Sequence, residues 1–147
     1  MKKYTIGIYF NDSLEHVALL LKNRPEWQKG RFNFPGGHIE EGESGENCVI
    51  REFIEECGIT TNASDWKYIG IIENETDYYV EIFTAIHNKN HGKLSTMEDQ
   101  EASWVDVDNL PPNVISNLKW LIPFAINTWK QGNVDEIKFG HFHYENI

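Results

Sequence analysis

The chain has 147 residues, 40% hydrophobic and 13% aromatic, which suits one globular domain over 1–147 with a proper core. A formal net charge of −10 without a basic stripe argues against binding a nucleic-acid polymer through its phosphates. No apolar run reaches transmembrane length, so no membrane partner is expected, and the two cysteines, Cys48 and Cys57, are too far apart on one predicted helix to bridge, as suits a reducing, cytoplasmic setting.

In chain order, Tyr4 to Phe10 (YTIGIYF) predicts a strand rather than a signal peptide, followed by the turn cluster Asn11-Asp12-Ser13. His16 to Leu21 (HVALLL) predicts a second strand, antiparallel to the first, with His16 a strand-end residue. Lys22 to Arg31 carries Pro25 and Gly30 and predicts a loop, whose Trp27 either packs under the sheet or edges a pocket. Phe32 to Gly37 (FNFPGG) predicts one short strand. Asn33 alternates to the opposite face from Phe32 and Phe34, where its amide offers a donor and an acceptor to a purine edge.

Ser44 is a plausible N-cap and Gly58 a C-terminal stop, which brackets a helix anchored by Val49, Ile50, Phe53 and Ile54. On it Glu52, Glu55 and Glu56 stand at i, i+3 and i+4, so three carboxylates crowd one face and repel. A solvated acidic face is the ordinary outcome of such a cluster. A hard divalent cation, Mg²⁺ or Mn²⁺, is the alternative that turns repulsion into a site. Gly36 and Gly37, just upstream, allow backbone to approach a metal or phosphate where a Cβ would hinder it. A cation there would also let an acidic protein take an anionic substrate.

Trp66 to Glu73 and Tyr78 to His87 predict two longer strands joined by the turn Asn74 to Asp77, followed by a polar loop to Gln100. Ala102 to Val107 predicts another strand, ended by Asn109-Leu110-Pro111-Pro112. Asn113 to Gln131 places Ile115, Leu118, Leu121, Ile122, Ala125, Ile126 and Trp129 at helical spacing, with Pro123 marking a kink or a restart. Ile137 to Tyr144 alternates like a last strand. Its His141 and His143 share one face with no third ligand nearby, which argues against a zinc pair. Strands on either side of one helix, with a second helix after them, predict an α+β fold with a mixed sheet.

From Gly37 to Ile59 the chain fits the pattern G-x5-E-x7-R-E-U-x-E-E-x-G-U, with Gly37, Glu43, Arg51, Glu52, Glu55, Glu56 and Gly58 fixed and Phe53 and Ile59 as the apolar U positions. A chance match is on the order of 10⁻⁹ per window at average residue usage. In this the sequence resembles the Nudix hydrolases. The resemblance implies an α/β/α sandwich, a signature loop–helix–loop, metal held by Glu52, Glu55, Glu56 and a carbonyl near Gly36, and an ion pair between Glu43 and Arg51. It also implies attack of water on a diphosphate linked to another moiety, with a small-molecule nucleotide as partner and a monomer or homodimer as the working unit.

A looser likeness extends to the MutT-like branch that hydrolyses oxidised purine nucleoside triphosphates: Phe32-Asn33 before the glycines, Glu98 to Trp104, and Trp120 with Pro123. Where that branch reads the base with carboxylates, this chain has Ser116 and Asn117. The expected reaction is Mg²⁺-dependent cleavage of a (deoxy)nucleoside triphosphate to monophosphate and pyrophosphate. The general base is sought first in Glu56 or Glu55, then in Glu101 or Glu98, while Asn33, Gly37, Asn117 and Trp120 bind substrate. Hydrolysis of ADP-ribose or a dinucleoside polyphosphate is an alternative, and a non-catalytic nucleotide-sensing module is another.

Overall fold

The computed structural model describes residues 1–130 and 139–145. The elements run β1 (Lys2–Phe10), β2 (His16–Leu21), β3 (Phe32–Asn33), β4 (Gly36–His38), α1 (Gly45–Cys57), β5 (Lys67–Glu73), β6 (Tyr78–Ile86), β7 (Ala102–Asp106), α2 (Leu118–Lys130) and β8 (Gly140–His143). All eight strands belong to one mixed sheet in the order β3-β2-β1-β6-β5-β8, with β4 added to β1 and β7 to β2.

Strand alternation builds the two layers on either side. Ile8, Phe10, Val17, Leu19 and Ile82 point one way and pack with Leu118, Leu121, Ile122 and Ala125 of α2. Tyr9, Ala18, Leu20, Phe83 and Ala85 point the other way and pack with Val49, Phe53 and Cys57 of α1. The result is the expected α+β sandwich. Gly7 lets α1 lie close on β1, since a Cβ there would collide with the Phe53 ring.

Several local expectations need correction. β1 and β2 are antiparallel but pair only at Phe10 and Val17, while the long partner of β1 is β6, parallel from Lys2–Tyr78 to Phe10–Ile86. The stretch 32–37 is not one strand: Asn33 and Phe32 pair with β2, whereas Gly36 to His38 pair with β1, because Pro35 between them cannot donate to a ladder. Ile54 is 44% exposed and leaves the apolar stripe, which Cys48 and Cys57 complete as free, buried thiols. Trp27 is 62% exposed and edges the cavity rather than packing under the sheet.

Helix α2 begins at Leu118, not at Asn113, with Pro123 inside it. The expected Gln131 end of that helix and residues Ile137 and Lys138 of the last strand lie outside the described residues. The Ser44 hydroxyl caps α1 by accepting from the Asn47 N–H at 3.0 Å, and Gly58 stops it with φ 67°. His141 and His143 face carboxylates: His141 Nε2 lies 2.7 Å from Glu73 and His143 Nε2 lies 3.8 Å from Glu75. No described helix is long and apolar enough to cross a membrane.

Candidate active site

Strand β4 delivers the chain to the first turn of α1, and the loop between them is held by Arg51. Its Nε and Nη2 donate to the two oxygens of Glu43 at 2.8 and 2.9 Å, a bidentate fork that fixes orientation as well as charge. The Arg51 guanidinium holds the Glu43 carboxyl down at about 2, well below the ordinary range. Glu43 in turn accepts from the Glu40 N–H at 3.1 Å, and Arg51 donates to the His38 carbonyl at 3.2 Å, so the whole turn hangs on one side chain.

The other carboxylates of the signature divide. Arg51 Nη1 donates to Glu52 at 3.0 Å and reaches Glu55 at 3.2 Å. Glu56, 7% exposed, turns inward and accepts from the Gly36 N–H at 3.0 Å. Burial, and next the charge of Glu52, push the Glu56 carboxyl up to about 8, and burial raises Glu52 as well. Glu52 fills the space above Gly37, where a Cβ would come within 2.5 Å of its carboxylate.

These donors fit a hard divalent cation. Glu56, buried and raised further by the charge of Glu52, gains from a positive charge placed beside the pair. The fit requires one movement. No three acidic, His or Cys side chains converge among the described residues, because Glu55 is turned toward Arg51.

Next to this floor lies a cavity of about 680 Å³, within the range of small-molecule sites. Gly36, Gly37 and Lys22 mark its polar end, and Ile72, Tyr78, Val80 and Ile115 give it apolar walls. Asn33 and Asn117, expected to bind substrate, both line it. Their amides differ. Asn33 is engaged at both ends, donating to Gln28 at 3.0 Å and accepting from the Phe34 N–H at 2.8 Å. The Asn117 Oδ1 is buried without a hydrogen-bond partner, which is costly unless a ligand supplies a donor.

Trp120 does not join this cavity: it is 38% exposed and packs on Phe142, ring centroids 4.7 Å apart. Glu101 is also outside the lining and contributes its carbonyl to the Leu21 N–H at 2.9 Å. Of the two loop carboxylates it is Glu98 whose charge bears on Glu56, Lys22 and Cys57.

Sequence reasoning missed Lys22. Burial lowers its pKa against the pull of Glu56, Glu52 and Glu98, and its side chain lies at the polar end of the cavity beside the acidic floor. A lone lysine at a strand end carries no motif, and only its position after the buried run VALLL hints at it. Tyr78 and Tyr144 also join the lining, where strand alternation alone marks them only as strand residues.

Comparison with known proteins follows the same lines. A family model described as "NUDIX domain" matches residues 1–123. The chain is 31% identical over 97 residues to the NAD-capped RNA hydrolase NudC of Pseudomonas aeruginosa, a match covering 64% of this chain; it spans about a third of that relative's length, 34%. It is 30% identical over 132 residues to the 8-oxo-dGTP diphosphatase of Escherichia coli, covering 82% of this chain and 100% of the relative. It is 30% identical over 142 residues to the ADP-ribose pyrophosphatase of Methanocaldococcus jannaschii, covering 90% of this chain and 82% of the relative. In fold it is similar to the crystal structure of a MutT protein from Bacillus halodurans, with TM-score 0.70 and 24% identity over 99% of this chain and 91% of that one.

Proposed function

The chain belongs to the NUDIX domain family, and from that premise we propose that it hydrolyses a (deoxy)nucleoside triphosphate to monophosphate and pyrophosphate with Mg²⁺, Mn²⁺ being an alternative cation. The observation that carries this reading is a cavity with two unlike ends: a polar end at Lys22, Gly36 and Gly37, against whose glycines Glu56 and Glu52 pack, and apolar walls with Asn117 among the lining residues.

Glu52, Glu55 and Glu56, with the Gly36 carbonyl, would hold the cation, which supplies the positive charge that offsets the diphosphate oxygens. Lys22 adds a second positive charge from the protein itself. Glu43 and Arg51 keep the loop against α1 and touch no substrate. Glu56 or Glu55 accepts the proton of the attacking water, which adds to a phosphorus of the α,β-anhydride as the bridging P–O bond breaks and monophosphate and pyrophosphate separate. Glu98 is the reserve acceptor, in preference to Glu101, because its charge reaches Glu56.

A second reading, ADP-ribose as substrate, is favoured by the 90% coverage of the match to the archaeal pyrophosphatase. A panel of canonical and oxidised nucleoside triphosphates, ADP-ribose and dinucleoside polyphosphates, scored with Mg²⁺ for released phosphate products, separates these. Pyrophosphate from a triphosphate is the expected result. Preferential cleavage of ADP-ribose moves the assignment to the second reading, and binding without any product makes the chain a sensing module.

A further inference from the structure

The match to the family ends at residue 123, yet the cavity is not closed there. Its far wall includes Tyr144, which follows β8, a strand outside that match. On the reading that the site takes a nucleotide, we propose that Tyr144 is a specificity-determining residue, presented by β8 as the surface on which the aromatic base rests.

The seating of β8 is built in detail. It runs parallel to β5 in the register Gly70–Gly140 to Glu73–His143, and the Tyr144 N–H donates to the Glu73 carbonyl at 2.9 Å. Its sequence HFHY divides by alternation. His141 and His143 face outward to Glu73 and Glu75. Phe142 and Tyr144 face inward, Phe142 against Trp120 and Phe124, and Tyr144 against the core beneath α2. This docking depends on Gly70, because a Cβ there would lie 2.5 Å from the Gly140 carbonyl oxygen.

The position of Tyr144 within the cavity defines its ligand. The phosphate end is at Gly36, which pairs with Ile6 of β1, while Tyr78 pairs with Lys2, four residues and roughly 13 Å further along the strand. Tyr144 stands two strands beyond β6, past β5 and Ile72. Lys2 and Asp77 also line this end, where Tyr78, Tyr144 and Ile72 supply the aromatic and apolar surface. It suits a flat heteroaromatic ring resting on the phenol rings of Tyr78 and Tyr144, in the cavity that Asn117 also lines.

The test measures affinity separately from turnover. Calorimetry on the full chain with Mg²⁺ would use the α,β-methylene analogues of GTP, ATP and ADP-ribose, with inorganic tripolyphosphate as a base-free probe. Tyr144→Ala should weaken the nucleotide analogues about tenfold, as expected for loss of one stacking partner, and leave tripolyphosphate within about twofold. Tyr144→Phe, which keeps the ring, should restore most of the loss. Gly70→Val should reproduce the alanine effect without touching Tyr144.

Unchanged nucleotide affinity in Tyr144→Ala, or equal weakening of tripolyphosphate, overturns the inference. Binding that depends on Tyr144 without hydrolysis of any panel member sinks the catalytic reading and leaves this one standing. Hydrolysis with no dependence of affinity on Tyr144 does the reverse. Failure of the wild-type chain to bind any analogue overturns both.

Discussion

Arg51 donates to Glu43 through Nε and Nη2, and its Nη1 holds Glu52 at 3.0 Å and Glu55 at 3.2 Å. Three signature carboxylates are thus distributed between a structural and a chemical task by one guanidinium. Glu43 is committed to the ion pair, so Glu43→Gln should slow turnover far less than Glu56→Gln, which removes a buried carboxylate from the floor and should cost about 10²–10⁴ in rate with the fold intact. EDTA should abolish turnover in the wild-type chain. A Glu56→Gln enzyme that keeps near-wild-type kcat would refute the assignment, and a Glu43 variant slower than the Glu56 variant would move Glu43 into the metal shell.

The same pair sets an acid limit. The folded pKa of Glu43 is depressed from 4.5 to about 2 by Arg51. Its contribution to stability is therefore fully present above the unfolded value and is lost as pH falls from 4.5 toward 2. Melting curves of wild type and Glu43→Gln should differ at about pH 6 and converge as pH falls through that window. At this scale the sequence was highly legible, since i, i+3, i+4 spacing on a capped helix leaves little freedom. What it could not carry was the inward turn of Glu56 or the approach of Lys22, which depend on where β2 and β4 lie relative to α1.

Elements were legible in kind and less so in partnership. The periodicity that marks β1 and β6 as strands says nothing of their parallel pairing, which joins residues 76 apart. Nor did polarity alone reveal that the loop 87–101 is fastened at both ends. At one end the Tyr9 hydroxyl bridges His87 Nδ1 at 2.7 Å and His91 Nδ1 at 2.8 Å, while His91 Nε2 lies 3.1 Å from Asp65. At the other, Arg24 forks onto Asp99 and Gln100 accepts from the Asn23 N–H. One O–H serves two ring nitrogens, so it donates to one and accepts from the other.

Tyr9→Phe removes both bonds and leaves polar nitrogens facing a buried ring, at a cost of about 1–3 kcal/mol. Differential scanning calorimetry should show a drop of roughly 3–10 °C in Tm for a chain of this size. Because the loop also carries Glu98, turnover near the melting range should fall before global unfolding does. An unchanged Tm would mean that the node contributes nothing to holding the loop.

At the scale of the whole molecule, the cavity draws on β1, the loop after β2, β3, β4, β5, β6, the turn before α2 and the residue after β8, and no segment of sequence contains it. That is why Asn33 and Asn117, identified as a pair of base-reading amides, come out unequal. The Asn33 amide is spent on Gln28 and on the Phe34 N–H, which stabilises the break between β3 and β4. Asn117 lies just before α2, in the position where an asparagine oxygen usually caps a helix, yet its Oδ1 is buried and makes no such bond. Turned toward the cavity that Asn117 lines, this acceptor would select for a ligand N–H and penalise a base that presents an oxygen or lone pair there. Asn117→Ala should therefore flatten discrimination among nucleobases, raising KM for the preferred base by about fivefold to a hundredfold while kcat changes little. Asn33→Ala should lower Tm and leave the order of base preference as it was. Measuring KM for each nucleoside triphosphate alongside a melting curve for both variants distinguishes the roles. If Asn33→Ala is the variant that flattens the profile, its bonds to Gln28 and Phe34 give way to substrate and the two assignments must be exchanged.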